Sequence, residues 1–217
     1  MLSRFFESKA FTFLTKCVDA IIICFYFLLC CIPIFTIGAS ITAFYYTIHK
    51  VVFQGRGYTT EFFRSFKDNF KQSTLSWLIF MGLGAVFGVD LYVTWQLRQQ
   101  GDKFGNMMFI FIILLMLLII WAMYTLTFIA RFENTFKQTL KLSAGLAVIH
   151  FAYSLIILIV LGLFCLFAYA FPAFALFTPL LYCISVHPFF EKIYRQYMTE
   201  DDLAEENERL GIDTPIE

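Results

Sequence analysis

The sequence predicts an all-α protein, a polytopic bundle of membrane-spanning helices. Of its 217 residues, 60% are hydrophobic and 15% are charged, whereas a soluble domain has roughly 45–50% apolar and about 25% charged residues. The mean hydropathy is +0.75. The charged residues cluster in short stretches between long apolar runs. Because a single core of this size cannot hide so much apolar surface, the helices need lipid around them.

The lengths of four apolar runs decide how often the chain crosses a bilayer, whose core of about 30 Å needs roughly 20 helical residues. The runs cover 20–49, 72–97, 104–130 and 142–190. The second and third runs predict one helix each. The fourth run is long enough for two helices, and Pro172 marks the break because proline cannot continue a helix. This break predicts helices at 142–168 and 173–189, the second of them kinked at Pro179.

The first run leaves two alternatives, because it is long for one crossing and short for two. Extended towards the N-terminus, it accommodates helices at 9–32 and 35–53, with Pro33 and Gly38 at the bend. The positive-inside rule favours this division. With six helices, 14 of the 16 lysines and arginines lie on the cytoplasmic side, against 11 with five helices. We therefore predict six helices in three hairpins, with five as the alternative.

Both topologies place the C-terminus in the cytoplasm, and the six-helix topology places the N-terminus there too. The predicted membrane domain covers 1–197, and 198–217 form an acidic cytoplasmic tail with eight acidic residues and one basic residue. The remainder carries a net positive charge, which suits loops that face anionic lipid. Its basic residues are scattered among apolar runs, so a nucleic-acid partner is not expected.

Two cytoplasmic segments resemble each other. Residues 66–72 and 132–138 both read F-x-x-x-F-K-Q, and threonine and leucine follow each. We interpret them as amphipathic elbows, in which the aromatic rings enter the lipid interface and the cations meet headgroups. The residues that carry this role are Phe66, Phe70, Lys71, Phe132, Phe136 and Lys137. Residues 4–9 read as a degenerate third copy.

No sequence pattern predicts a metal site, a cofactor or a catalytic nucleophile. The six cysteines form no C-x-x-C pair, and His49, His150 and His187 stand far apart in the chain. Asp19 and Asp90 are the acids within the helical runs, and such residues are functional candidates by default. Pairing with a nearby cation, or solvation at the interface, is the simpler explanation for both acids.

A patch of small and hydroxyl-bearing residues follows the first bend. Its members are Pro33, Thr36, Gly38, Ser40 and Thr42. Small residues let helices approach closely, and hydroxyl groups bond across the contact. The patch therefore indicates either helix packing or a break in a helix that contacts a substrate.

The string P-I-F-T-I-G-A-S at 33–40, followed by Gly57-Tyr58 and F-x-x-F-x-x-N-F-K-Q at 63–72, resembles the YesL-like family of bacterial membrane proteins, domain of unknown function 624. The resemblance extends to about Tyr197. The family has no established activity and no catalytic residues to transfer. Its members are often encoded beside sugar ABC transporters and glycan-degrading enzymes. The resemblance thus implies a multi-pass protein of the bacterial plasma membrane with a link to carbohydrate uptake.

These observations predict a non-enzymatic accessory or regulatory component whose partners are the lipid bilayer and the permease subunits of an ABC transporter. The alternative is a transporter of small solutes in its own right. A transporter requires a polar, water-accessible cavity, which Thr36, Ser40, Thr42 and Asp90 would line. The sequence leaves the oligomeric state open.

Overall fold

The computed structural model describes the backbone of residues 9–50, 59–200 and 203, and the side chains from Thr15 to Lys50, from Thr60 to Glu200 and of Leu203. Within these residues the chain is all-α, as predicted, and contains no strand. Its helices are α1 (Lys9–Cys30), α2 (Ile37–Ile48), α3 (Thr59–Gln99), α4 (Met108–Arg131), α5 (Phe136–Ile149), α6 (Phe151–Ala170) and α7 (Thr178–Tyr194). The predicted elbow at 4–9 and nearly all of the acidic tail lie outside the described residues.

Three of the described helical stretches are long and apolar enough to cross a membrane: Thr60–Gln99, Lys103–Arg131 and Phe151–Ala170. A shorter apolar stretch covers Ile34–Ile48. These lengths and compositions agree with the predicted membrane class. The choice between six and five crossings stays a prediction.

Helices α1 and α2 form the first hairpin, and its bend lies at Pro33 as predicted. The Thr36 hydroxyl closes the turn, 2.6 Å from the backbone oxygens of both Cys30 and Pro33. The rings of Phe27 and Phe44 lie 4.6 Å apart across the hairpin. The two helices therefore pack against each other next to the bend.

Helices α3 and α4 form the second hairpin, around a tight turn. Gly101 has a φ of +79°, a conformation that L side chains rarely adopt. The carboxylate of Asp102 accepts a hydrogen bond of 3.1 Å from the backbone N–H of Phe104. Gly105 packs against the backbone of Arg98, and no side chain would fit between them.

Helix α3 corrects one predicted boundary. The sequence predicted a helix at 72–97 behind a separate elbow, but α3 runs without a break from Thr59 to Gln99. The first elbow forms the early turns of this helix and is no separate element. The physical reason is that residues 59–81 contain neither proline nor glycine, so nothing stops the helix between the cytoplasmic and apolar segments.

The predicted helix at 142–168 is likewise corrected, because the chain breaks at His150 into α5 and α6. His150 has φ −99° and ψ 42°, outside the helical region. The hydroxyl of Ser154 lies 2.9 Å from the backbone oxygen of Ala147 and 3.2 Å from that of His150. This side chain satisfies a carbonyl that the break leaves without its helical partner.

The last predicted helix, at 173–189, in fact begins at Thr178 and ends at Tyr194. Pro172 does mark the turn, as predicted, because it opens a 3₁₀ segment after α6. Pro179 lies in the first turn of α7, where a missing N–H costs little, so the predicted kink there is wrong. The proline inside this helix is Pro188.

The core lies at one end of the bundle, where α1, α2, α4 and α7 meet the first turns of α3 and α6. Phe190 packs edge-on against Tyr124 at 5.1 Å and against Tyr45 at 5.9 Å. Tyr124, Phe190 and Tyr194 are fully buried. Beyond this core the outer turns of α3, α4 and α6 expose rows of apolar side chains, as lipid-facing helices do.

Candidate functional site

Five polar side chains meet at the end of the bundle that holds the core and form what we term the buried polar cluster: Tyr45, His49, Arg131, His187 and Glu191. Two of these pairs, Tyr45 with His49 and His187 with Glu191, are four residues apart, so each pair lies on one face of its helical segment. Arg131 is the last residue of α4. His49 and His187 are each 3% exposed, and Glu191 is 8% exposed.

Both oxygens of the Glu191 carboxylate are engaged. Arg131 donates from Nη2 to Oε2 over 2.9 Å, and the Tyr45 hydroxyl donates to Oε1 over 3.0 Å. A buried carboxylate is stable only with a countercharge and hydrogen-bond donors. Arg131 and Tyr45 supply them from two other helices, so the cluster ties α2, α4 and α7 together.

The contacts also fix which ring nitrogens carry protons. Nη1 of Arg131 lies 3.0 Å from Nε2 of His49. A guanidinium can only donate, so Nε2 accepts and the His49 proton is on Nδ1. That N–H points to Nε2 of His187, 2.7 Å away. The remaining proton of a neutral His187 is therefore on Nδ1.

Three atoms of the cluster are of the type that binds transition metals: Nδ1 of His49, Nε2 of His187 and Oε1 of Glu191. The two nitrogens are 2.7 Å apart, and Oε1 lies 3.6 Å from the first and 3.7 Å from the second. Within the part of the chain that the structure describes, this is the one group of three such residues.

The sequence did not indicate this cluster. Its prediction that no metal site exists rested on local spacing, and His49 and His187 are 138 residues apart. The available signal was the four-residue interval between His187 and Glu191. A single interval of this kind is common in helices and points to nothing by itself. Arg131 looked like an ordinary cytoplasmic anchor at a helix end.

The predicted small-residue patch packs helices together. Thr36, Ser40 and Thr42 are buried. The Ser40 hydroxyl donates to the backbone oxygen of Thr36 over 3.0 Å. The Thr42 hydroxyl lies 3.1 Å from the backbone oxygen of Gly38 and 3.2 Å from that of Leu126, and it accepts a hydrogen bond from Ser73 over 3.0 Å. Contacts to α3 and α4 thus use up the hydroxyl that a substrate would need.

Gly38 and Pro33 complete the patch. A Cβ on Gly38 would lie 2.5 Å from Cβ of Trp77 and 2.6 Å from the backbone oxygen of Ser73, so α2 and α3 touch there. The indole N–H of Trp77 donates to the backbone oxygen of Ile34 over 2.9 Å. Pro33 is exposed at the bend. The patch therefore lies at contacts between helices, and the predicted contact with a substrate stays a prediction.

The two candidate acids lie on different helices. Asp19 is buried on α1, at 7% exposure, whereas Asp90 is partly exposed on the outer part of α3. Neither lines a cavity described below. Their predicted functional role stays a prediction.

The elbow residues divide between the core and the surface. The ring of Phe132 lies 4.6 Å from that of Phe128 and 5.6 Å from that of Tyr194, and Phe66 packs partly buried against the core. Both rings therefore contact protein side chains, and their predicted role at a lipid interface stays a prediction. Phe70 and Phe136 are partly buried, whereas Lys71 and Lys137 are exposed.

Two cavities flank the cluster. One has a volume of about 360 Å³ and an almost wholly apolar lining, which includes Phe44, Tyr45 and Phe190. The other has a volume of about 280 Å³ and a polar lining, which includes Arg131. Further charged residues that line the polar cavity are Lys50, Arg64, Asp68 and Glu133. Tyr45 thus borders an apolar space, and Arg131 borders a charged one.

The fold and the site define a class: an all-α protein with helices able to span a membrane and a buried polar cluster at the base of its core. A model of the family described as "Protein of unknown function, DUF624" matches residues 20–91. The match covers the second half of α1, all of α2 and most of α3, and it confirms the resemblance to that family over these residues. No curated protein and no solved structure matches the chain.

Proposed function

We propose that the protein is a non-enzymatic accessory or regulatory component of a carbohydrate ABC transport system in the bacterial plasma membrane. The observation that carries this proposal is how the interior hydroxyl groups are used. Thr36, Ser40 and Thr42, the residues expected along a solute path, are buried and hydrogen-bonded to their own or neighbouring helices. They hold the bundle together and do not face water.

The cavities also favour an accessory role over transport of sugars. A sugar exposes many hydroxyl groups, and burying each of them without a partner costs roughly 1–3 kcal/mol. The larger cavity is lined almost entirely by apolar groups, among them Phe27, Phe44 and Met123. The polar cavity has no lining residue in common with the apolar one. A sugar that passed through this chain alone would thus need hydrogen-bond partners for its hydroxyl groups, and the apolar cavity lacks them.

The outer half of α3 offers a surface for a partner helix. Gly82, Val86 and Val89 lie on one face of this helix. Val86 and Val89 are 57% and 62% exposed, and a Cβ on Gly82 would meet nothing within 4 Å. In lipid, close approach between small residues is a main source of helix association. The proposal assigns this face to a helix of a permease subunit.

Co-purification tests the proposal. The full-length protein is isolated from native membranes in a mild detergent, and the bound sugar-permease subunits are quantified by mass spectrometry. We expect Gly82→Leu to reduce permease recovery at least fivefold. Gly162→Leu on α6 is the matched control, because its Cβ position is equally open, and it should leave recovery unchanged.

Two results would contradict the accessory role. One is recovery of no permease subunit with the wild-type protein in mild detergent. The other is sugar uptake by liposomes that contain the purified protein alone, which would establish the transporter alternative. Deletion of the gene should lower growth on particular sugars while the permease level in the membrane is unchanged.

A further inference from the structure

We propose that the buried polar cluster binds one divalent transition-metal ion of the Zn²⁺ type through Nδ1 of His49, Nε2 of His187 and Oε1 of Glu191. This inference goes beyond the accessory role and does not depend on it. Two imidazole nitrogens and one carboxylate oxygen form a common ligand set for zinc sites that keep a fourth position open.

The distances fit an ion of this kind. A triangle with sides of 2.7, 3.6 and 3.7 Å has a point about 2.0 Å from each corner. Zn–N and Zn–O bonds are roughly 2.0–2.2 Å long. The two nitrogens need to separate to about 3.3 Å for tetrahedral angles, and both rings need to turn towards the ion, because their nitrogens point at each other. The Tyr45 hydroxyl lies 3.0 Å from Oε1.

The proton balance of metal binding follows from Arg131. Without the ion, Nδ1 of His49 carries the hydrogen that points to His187, because Nε2 accepts from the guanidinium. The ion takes the place of that hydrogen. Once the guanidinium leaves Nε2, the proton moves from Nδ1 to Nε2 of the same ring. Both histidines stay neutral, and no proton is lost to solvent.

The polar cavity provides the place to which the guanidinium moves. Arg131 already lines it, and the carboxylates of Asp68 and Glu133 belong to the same wall. The contact of Nη2 with Oε2 of Glu191, at 2.9 Å, uses the oxygen that does not bind the ion, so it persists. Arg131 is therefore a cation that competes with the metal and sets its affinity.

The test uses the full-length protein in detergent, without a histidine tag and after treatment with a chelator. Co²⁺ is titrated and followed by its visible absorption, and Zn²⁺ is then added in competition. We expect one equivalent of either ion. His187→Gln and Glu191→Gln should weaken binding at least a hundredfold. His150→Gln is the matched control, since His150 contacts Tyr197 outside the cluster, and it should bind as the wild type does.

The Arg131→Gln variant distinguishes a metal-binding site from a cluster that only stabilises the fold. The glutamine amide oxygen can accept the Nε2 hydrogen of His49, and the competing cation is gone, so Co²⁺ should bind at least tenfold more tightly than to the wild type. Absence of stoichiometric Co²⁺ binding in both proteins would overturn the proposal. So would wild-type affinity in a folded His187→Gln variant. If that variant does not fold, equal affinity of Arg131→Gln and the wild type decides against the site.

Discussion

At the last residue of α4, the guanidinium of Arg131 meets two acceptors, Oε2 of Glu191 at 2.9 Å and Nε2 of His49 at 3.0 Å. The first contact neutralises a buried carboxylate, and the second fixes the tautomer of a buried histidine. Charge and proton position inside the bundle thus depend on one side chain, itself 10% exposed. Because of this dependence, replacement of Arg131 should lower the free energy of unfolding strongly.

Arg131→Met leaves the Glu191 carboxylate buried without a countercharge. We expect this change to lower the free energy of unfolding by about 3–5 kcal/mol, measured by denaturant titration in mixed micelles. Adding Glu191→Leu should restore most of the loss, because the orphaned charge is then gone. Arg64→Met is the control: its pair with Asp68 is 3.7 Å long and mostly exposed, so about 0–1 kcal/mol is expected. Equal losses in Arg131→Met and Arg64→Met would contradict the argument.

For the helices, local sequence patterns predicted where each one lies along the chain, whereas tertiary contacts determine where it begins and ends. The apolar runs and the prolines at 33 and 172 predicted the helices and two of the bends correctly. The break at His150 was not predictable, because it depends on the Ser154 hydroxyl, which also lies 3.2 Å from the hydroxyl of Tyr124 on α4. The buried polar cluster was missed for the same reason. Its members meet only after α2, α4 and α7 have packed.

Helices α2 and α3 approach each other closely at Gly38. Gly38→Ala places a methyl group 2.5 Å from Cβ of Trp77 and 2.6 Å from the backbone oxygen of Ser73, and neither atom is the far end of a flexible chain. We expect a loss of about 1–3 kcal/mol in the free energy of unfolding. Gly88→Ala on α3 has open space around it and should gain roughly 0.5–1 kcal/mol from helix propensity. Unfolding of both variants at the same denaturant concentration would refute the close contact.

In the whole molecule, one end of the bundle holds the hydrogen-bonded polar side chains and the other end is apolar. The cluster joins the last residues of α2, α4 and α7, and the polar cavity lies beside it. At the other end the outer turns of α3, α4 and α6 expose apolar side chains. The basic residues of the first turns of α3 and of α5 lie at the cluster end, which the positive-inside rule assigns to the cytoplasm.

This arrangement predicts that both chain termini lie in the cytoplasm. In the six-helix topology the bend at Pro33 turns the chain back, so α1 begins at the end where His49 meets Arg131. Fluorescent-protein fusions that fold only in the cytoplasm should therefore be bright at either terminus, while a fusion in the turn at Gly101 should be dark. A membrane-impermeant maleimide should label Lys103→Cys in intact cells, and Lys137→Cys only after permeabilisation. A dark N-terminal fusion beside a bright C-terminal one would instead establish an odd number of crossings, as in the five-helix topology.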